Sequence, residues 1–183
     1  MTPQVIAAVG LGGNLDGPCG SPEATLRQAM VALGSLPRTQ LLRGSSLFRT
    51  PAWGDTAQPD FINAVALLGT CLPPRELLDA LLALERRFGR DRSRSAHWGP
   101  RTLDLDLLLH GGQAIDEPGL HVPHPHLHQR AFVLLPLAQI APDLQVPGRG
   151  QVAALLARVD ATGCVALPAH EADAGDGMVR GPG

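Results

Sequence analysis

Thr102-Leu103-Asp104-Leu105-Asp106-Leu107-Leu108-Leu109 alternates polar and apolar residues before closing on leucines, the period of a strand with one face in a core and the other carrying carboxylates. Upstream, Pro74 to Phe88 sets Leu77, Leu81, Leu84 and Phe88 on one helical stripe, widened by Leu78 and Leu82, with Gly89 as its stop. Leu41 to Phe48 and Phe61 to Leu68 predict two strands flanking a long polar loop, in which Pro51, Gly54 and Pro59 prevent regular pairing. Ahead of them, Ser21 as N-cap, Pro22 at the first helical position and the recurrence Leu26, Ala29, Met30, Leu33 predict a helix that ends by Gly34 and Pro37. Val5 to Gly10 predicts a buried strand running into a glycine-rich turn at Gly10, Gly12 and Gly13. Strand, helix, strand, strand, helix, strand is the order of a ferredoxin-like split unit, so the expected class is α+β: an antiparallel sheet with helices packed on it. Beyond it come a Pro/His loop, an apolar segment from Ala131 to Ile140, a short helix around Val152 to Val159, and a Gly/Ala/Asp-rich tail expected to be disordered from Pro168 to Gly183.

A chain of 183 residues that is 44% hydrophobic suits one core, and residues 1–167 are expected to form a single domain. A net charge of -2 lacks the broad positive field that nonspecific binding to nucleic acid or an anionic membrane needs, so neither is an expected partner. All 15 basic residues are arginine, which removes the lysine of a P-loop, a Schiff base or a kinase-type clamp and leaves phosphate to arginine. Cys19, Cys71 and Cys164 show neither CxxC spacing nor an even count, against a disulfide framework or a cysteine metal site. Val5 to Val9 follows the N-terminus without a basic region, and no apolar run reaches the roughly 18 residues of a membrane helix. A cytoplasmic monomer acting on small molecules is expected.

Chemistry concentrates in Trp98-Gly99-Pro100-Arg101-Thr102-Leu103-Asp104-Leu105-Asp106-Leu107. Asp104 and Asp106, two apart on a strand, face the same way, and like charges so close call for a cation; hard oxygens at that spacing suit magnesium carrying nucleotide phosphates. Two exposed aspartates on an ordinary amphipathic strand are the plainer alternative, but such a strand has no need of Gly-Pro-Arg before it, and Arg101 can grip the same phosphate. Arg86, Arg87, Arg90, Arg92 and Arg94 precede it, the last three in a polar loop with Asp91, Ser93 and Ser95 that could converge as an electrophilic clamp. Phe61 and Asn63 alternate onto one strand face, an aromatic plane beside an amide, with Phe132 as a possible opposite plane for a flat heterocycle. In His121-Val122-Pro123-His124-Pro125-His126-Leu127-His128 a zinc site is disfavoured by the prolines and the lack of a cysteine, and one histidine donating to phosphate is the better reading. Leu11-Gly12-Gly13-Asn14-Leu15 lacks GxGxxG spacing and reads as a turn.

In chain order, Phe48-Arg49-Thr50-Pro51, Gln58-Pro59-Asp60-Phe61-Ile62-Asn63-Ala64, the stretch from His97 to Leu108, and Val122-Pro123-His124 with Arg130 and Phe132 resemble the 6-hydroxymethyl-7,8-dihydropterin pyrophosphokinase family, from about Val5 to Gly148. The resemblance implies transfer of pyrophosphate from ATP to the pterin hydroxymethyl group, giving AMP, in folate synthesis. It implies that Asp104 and Asp106 hold two magnesium ions and that Arg90, Arg92 and Arg101 complete the catalytic set. It further implies a pterin between Phe61 and Phe132, with Asn63 on its edge and Thr50, Pro51 and Trp53 lining the pocket, and ATP contacts from Glu85, Arg90, Arg92, Trp98, Arg101, Leu107, His124 and Arg130. The chain departs from the family pattern at Gly13, around Asp16 to Gly20, at Arg94, where the arginine loop is longer, and at His97, Gly119, His121 and Pro125. Rival readings are another magnesium-dependent DxD nucleotidyl- or glycosyltransferase, which would not need Phe61, Asn63 and Phe132, and a ferredoxin-like RNA-binding module, for which the charge and aromatic content are wrong.

Overall fold

The computed structural model describes residues 2–52, 57–94 and 99–169. Its elements are β1 (Val5–Gly13), α1 (Pro22–Leu33), β2 (Thr39–Gly44), β3 (Phe48–Thr50), β4 (Phe61–Thr70), α2 (Pro74–Arg87), β5 (Asp104–His110), β6 (Ile115–Glu117), β7 (Leu120–Val122), α3 (Ala131–Ile140), β8 (Gln145–Val146), β9 (Gly150–Gln151), α4 (Val152–Leu156) and β10 (Val165–Ala166). The main sheet runs β10-β3-β4-β1-β5, with β2 also on β4, and β1 pairs antiparallel with both of its neighbours. β1 and β2 thus flank β4, and β5 closes the other side of β1, which is the expected split arrangement. No helix among the described residues is long and apolar enough to cross a membrane.

Sequence period decides which face each element buries. Leu26, Ala29 and Leu33 of α1 and Leu77, Leu81 and Leu84 of α2 pack on Val9, Leu11, Ile62, Ala64, Leu105 and Leu107, all on one side of the sheet. Each leucine so buried contributes roughly 1.5–3 kcal/mol of transfer free energy. Val133, Leu134, Leu137 and Ile140 of α3 cover Val65, Leu67, Leu108 and Leu109 on the other side. The apolar segment Ala131 to Ile140 is therefore the helix that closes the second layer, and Arg43 Nη1 donates to its terminal Ile140 carbonyl at 2.9 Å. Ser21 caps α1 as expected, its hydroxyl accepting from the Ala24 N–H.

Two expectations are corrected. Gly10, Gly12 and Gly13 do not form a turn: β1 continues through them, pairing with β4 as far as Gly13 opposite Ile62. Leu41 to Phe48 is not one strand but two, β2 and β3. At the break, Ser45 exchanges hydrogen bonds with the Val65 backbone through its N–H and its hydroxyl, and the Ser46 N–H turns to Gln139 Oε1 at 2.7 Å, so side chains take over from the ladder.

The end of β1 lies so close to the approach to β5 that a Cβ on Gly13 would stand 2.5 Å from the Thr102 carbonyl oxygen, a backbone atom with no rotamer to yield. Gly13→Ala is expected to destabilise the protein by about 1–3 kcal/mol, read as a lower urea midpoint at unchanged slope.

Candidate active site

Register assembles the site on the sheet face opposite α1 and α2. Asp104 lies beside Gly12, Gly12 beside Asn63, and Asn63 beside Phe48; the neighbouring rung holds Asp106, Gly10 and Val65, and Thr50 stands opposite Phe61. Directly paired residues share a face. The glycines leave the strand between the carboxylates and Asn63 without side chains, giving a bare floor two strand spacings, about 10 Å, across. A Cβ at Gly12 would come within 2.8 Å of Asn63 Oδ1. The amide of Asn63 is itself fixed, Nδ2 donating to Thr50 Oγ1 at 2.7 Å, with both residues buried.

Charge gathers at the β5 end of that floor. Burial, reinforced by the adjacent Asp104 carboxylate, pushes Asp106 up to about 7 in spite of Arg130 and Arg101. Asp104 lies between two guanidinium groups, with Arg101 Nη1 at 2.8 Å from Oδ2 and Arg92 Nη2 at 3.4 Å from Oδ1. Arg92 is held in turn by Glu85, which is 1% exposed and accepts from its Nε at 2.9 Å and Nη2 at 2.8 Å as well as from the Leu105 N–H at 2.8 Å. Burial pushes the Glu85 carboxyl up while Arg92 and the Leu105 N–H pull it back; Arg92 is pushed up by the same pair, and the bidentate geometry is that of an ionic one.

The arginine loop owes its position to the end of α2. Gly89 takes φ +85, with Pro18 Cδ 2.9 Å from where a Cβ would be, and the Arg90 N–H closes back on the Glu85 carbonyl at 3.0 Å. The chain reverses there and aims Arg90 at the carboxylates. Burial pushes the Arg90 guanidinium down, and its Nε and Nη1 are buried with no hydrogen-bond partner among the described residues. On the far side, Arg130 stacks 5.5 Å from the Phe132 ring and Arg101 5.6 Å from the Phe61 ring, so a cation accompanies each aromatic plane. Burial, then Arg130, lowers His124 to about 4, which makes it neutral at physiological pH. Its Nδ1 accepts the His126 N–H at 3.2 Å, leaving the proton on Nε2 as a donor.

Arg90, Arg92, Arg101, Asp104, Asp106, Glu85, His124 and Arg130 are thereby electrostatic neighbours, and Thr50, Phe61 and Asn63 share the adjoining rungs. Leu107 is not with them: its side chain is in the core beneath α2, on the opposite face from Asp106. Arg94 points away, exposed and paired with Asp91 at 3.4 Å. His121 is exposed and bonded to Asp116 at 2.7 Å. Trp53, His97 and Trp98 lie outside the described residues. Sequence reasoning missed Gly10 and Gly12 as the floor and Asn14 as a buried hub. A strand that stays extended through glycines was the available signal for the first two.

Replacing Glu85 by alanine leaves the Leu105 N–H without an acceptor and Arg92 without its fork. A loss of about 2–4 kcal/mol in unfolding free energy is expected by chemical denaturation, together with weaker ATP binding.

The model of the family "7,8-dihydro-6-hydroxymethylpterin-pyrophosphokinase (HPPK)" matches residues 8–142. A 2-amino-4-hydroxy-6-hydroxymethyldihydropteridine pyrophosphokinase of Pseudomonas aeruginosa is 46% identical over 160 residues, covering 87% of this chain and 95% of that protein. The protein of the same name from Synechocystis sp. is 43% identical over 157 residues, covering 85% and 77%. Among solved structures, Plasmodium falciparum HPPK-DHPS A437G with SDX-DHP superposes with a TM-score of 0.66 at 13% identity over 86% of this chain. That likeness concerns the fold, and this chain spans about half of the Plasmodium chain, 46% of its length.

Proposed function

Because this chain belongs to the 7,8-dihydro-6-hydroxymethylpterin-pyrophosphokinase family, we propose that it transfers the pyrophosphoryl group of ATP to the hydroxymethyl oxygen of 6-hydroxymethyl-7,8-dihydropterin, releasing AMP, as a step in folate synthesis. The observation that carries this reading is the sheet face on which a carboxylate row, Asp104 and Asp106, and an aromatic-amide row, Phe61 and Asn63, are separated by the glycines of β1.

The carboxylate row fits magnesium. Burial first, and then the Asp104 carboxylate, push Asp106 up to about 7, and a cation bound between the two carboxylates would favour their ionised forms. Among the described residues no three His, Cys, Asp or Glu side chains are placed to hold one metal ion together, so the other positions of an octahedral ion would fall to water and phosphate oxygens, the usual magnesium pattern. Two ions, as the family resemblance implies, would be held by Asp104 and Asp106. Magnesium would supply charge neutralisation for the triphosphate.

The protein's own groups align and polarise. Arg90 offers to the transferred phosphates two donors that have no partner among the described residues, Arg101 and Arg92 can turn from Asp104 toward them, and His124 Nε2–H and Arg130 add donors from the loop before α3. Asn63, held by Thr50, presents its amide to the pterin edge, Phe61 and Phe132 supply stacking planes, and Pro51 borders the pocket. The hydroxymethyl oxygen forms its bond to the β-phosphorus and releases its proton to water as the bond from that phosphorus to the α,β-bridging oxygen breaks, and AMP leaves with that oxygen and the bonding electron pair. Residues 1–167 act as one domain, and we place the enzyme in the cytoplasm as a monomer.

Pterin fluorescence tests the reading. In the presence of magnesium and a non-hydrolysable ATP analogue, hydroxymethyl-dihydropterin should bind the wild type, and Asn63→Ala or Phe132→Ala should weaken binding about tenfold or more. No pterin binding, with tight binding of a single-stranded RNA instead, would favour the RNA-binding module.

A further inference from the structure

Asn14 stands outside every contact with substrate proposed above, yet it is 4% exposed and its side-chain amide makes three hydrogen bonds. Nδ2 donates to Gln58 Oε1 and to the Pro59 carbonyl, each at 3.0 Å, and Oδ1 accepts the Arg101 N–H at 3.0 Å. The orientation of the amide is unambiguous, because a proline carbonyl can only accept and a backbone N–H can only donate. The main chain adds to one side: the Asn14 and Leu15 N–H groups both donate to the Arg101 carbonyl, at 2.9 and 3.1 Å.

These partners belong to different halves of the site. Gln58 and Pro59 immediately precede β4, whose first residue is Phe61 and whose third is Asn63, the pterin side. Arg101 leads into β5 and bonds Asp104 at 2.8 Å, the phosphate side, while its guanidinium sits 5.6 Å from the Phe61 ring. Between the two segments runs the glycine floor of β1, which has no side chains to set their spacing. Asn14, at its end, is the first residue of that strand's continuation able to reach both.

We propose that Asn14 is a positioning residue that holds the pterin-side segment 57–60 and the phosphate-side segment 99–101 in register through one buried amide, and so sets how the attacking hydroxyl meets the β-phosphorus. This rests on the pyrophosphoryl-transfer reading. The two ends of the amide have separable duties. The donors fix the pterin side. The acceptor, backed by two main-chain bonds, fixes the phosphate side.

Asn14→Asp separates them, since it keeps an acceptor for Arg101 but sets a carboxylate oxygen against the Pro59 carbonyl. Steady-state kinetics should show the KM for pterin raised about tenfold and that for ATP changed less than about twofold. Asn14→Ala removes both ends and should raise both KM values and lower kcat by about tenfold or more. If Asn14→Ala does not fold, Asn14→Asp carries the test. Hydrogen exchange in residues 57–60 should quicken in Asn14→Asp and stay unchanged across 101–103, whatever the activity. Variants that melt lower but keep wild-type kcat and both KM values overturn the positioning role, as does unchanged exchange in 57–60. A wild type that releases no AMP overturns the transfer reading instead, and the exchange result still decides whether the amide links the segments.

Discussion

Asp106→Asn is expected to lower kcat by at least about a thousandfold and, unusually for an active-site change, to raise the melting temperature of the metal-free protein at pH 8. Both effects have one cause. Burial and Asp104 lift Asp106 from the ordinary 3.8 to about 7, so between those values the folded protein holds a proton that the unfolded chain has released. The stability associated with that proton is complete below about pH 4 and is lost as pH rises through about 7. By pH 8 the ionised carboxylate is a net burden on the order of 4 kcal/mol, which asparagine of the same shape relieves. The difference in melting temperature between variant and wild type should therefore grow from pH 4 to pH 8. Adding magnesium and an ATP analogue should stabilise the wild type at pH 8 and shift the variant much less, since a ligand stabilises only the state that binds it. A pH-independent difference would show that Asp106 does not titrate as its surroundings demand.

Arg90→Met should cost about a hundred- to thousandfold in kcat/KM for ATP while leaving the ligand-free protein as stable as before, or more so. The Nε and Nη1 of Arg90 are buried without hydrogen-bond partners among the described residues, and burial pushes the guanidinium down against the pull of Asp104. Unmade hydrogen bonds of this kind cost about 1–3 kcal/mol each, which methionine, of similar length and apolar, removes. A cation kept in such a place in a chain without lysine is a donor set for an anionic ligand. Arg92, by contrast, is satisfied by Glu85 at 2.8 and 2.9 Å, so Arg92→Met should lose stability along with activity. Thermal melts of the two variants, side by side with their ATP kinetics, distinguish a phosphate ligand from a structural arginine. A large drop in melting temperature for Arg90→Met would mean that its side chain has a structural partner.

Legibility in the sequence followed the strength of the local signal. Ser21, Pro22 and the Leu26, Ala29, Leu33 stripe make α1 plain, and Asp104 and Asp106 at period two mark a strand with two carboxylates on one face. β1 was cut short because glycine is a turn signal in isolation; only pairing with β4 on one side and β5 on the other keeps Gly10 to Gly13 extended. The split between β2 and β3 depends on Gln139, 93 positions away in α3, and no local pattern encodes it. Glu85 came only from the family resemblance, although a carboxylate adjoining Leu84 on the apolar stripe of Leu77, Leu81 and Phe88 is a visible anomaly that calls for a buried partner. Asn14 looked like part of a turn because its partners, Gln58, Pro59 and Arg101, are distant in sequence. Family motifs mark the candidate site, and register brings the motifs together: the carboxylates, the glycines and the asparagine fall on adjacent positions of three strands.

Purified protein incubated with magnesium, ATP and 6-hydroxymethyl-7,8-dihydropterin, with nucleotides and pterins separated by chromatography, should yield AMP and pterin diphosphate in equal amounts, and neither when magnesium or pterin is omitted. Release of ADP with a pterin monophosphate, or consumption of ATP independent of pterin, would contradict pyrophosphoryl transfer on this face of the sheet.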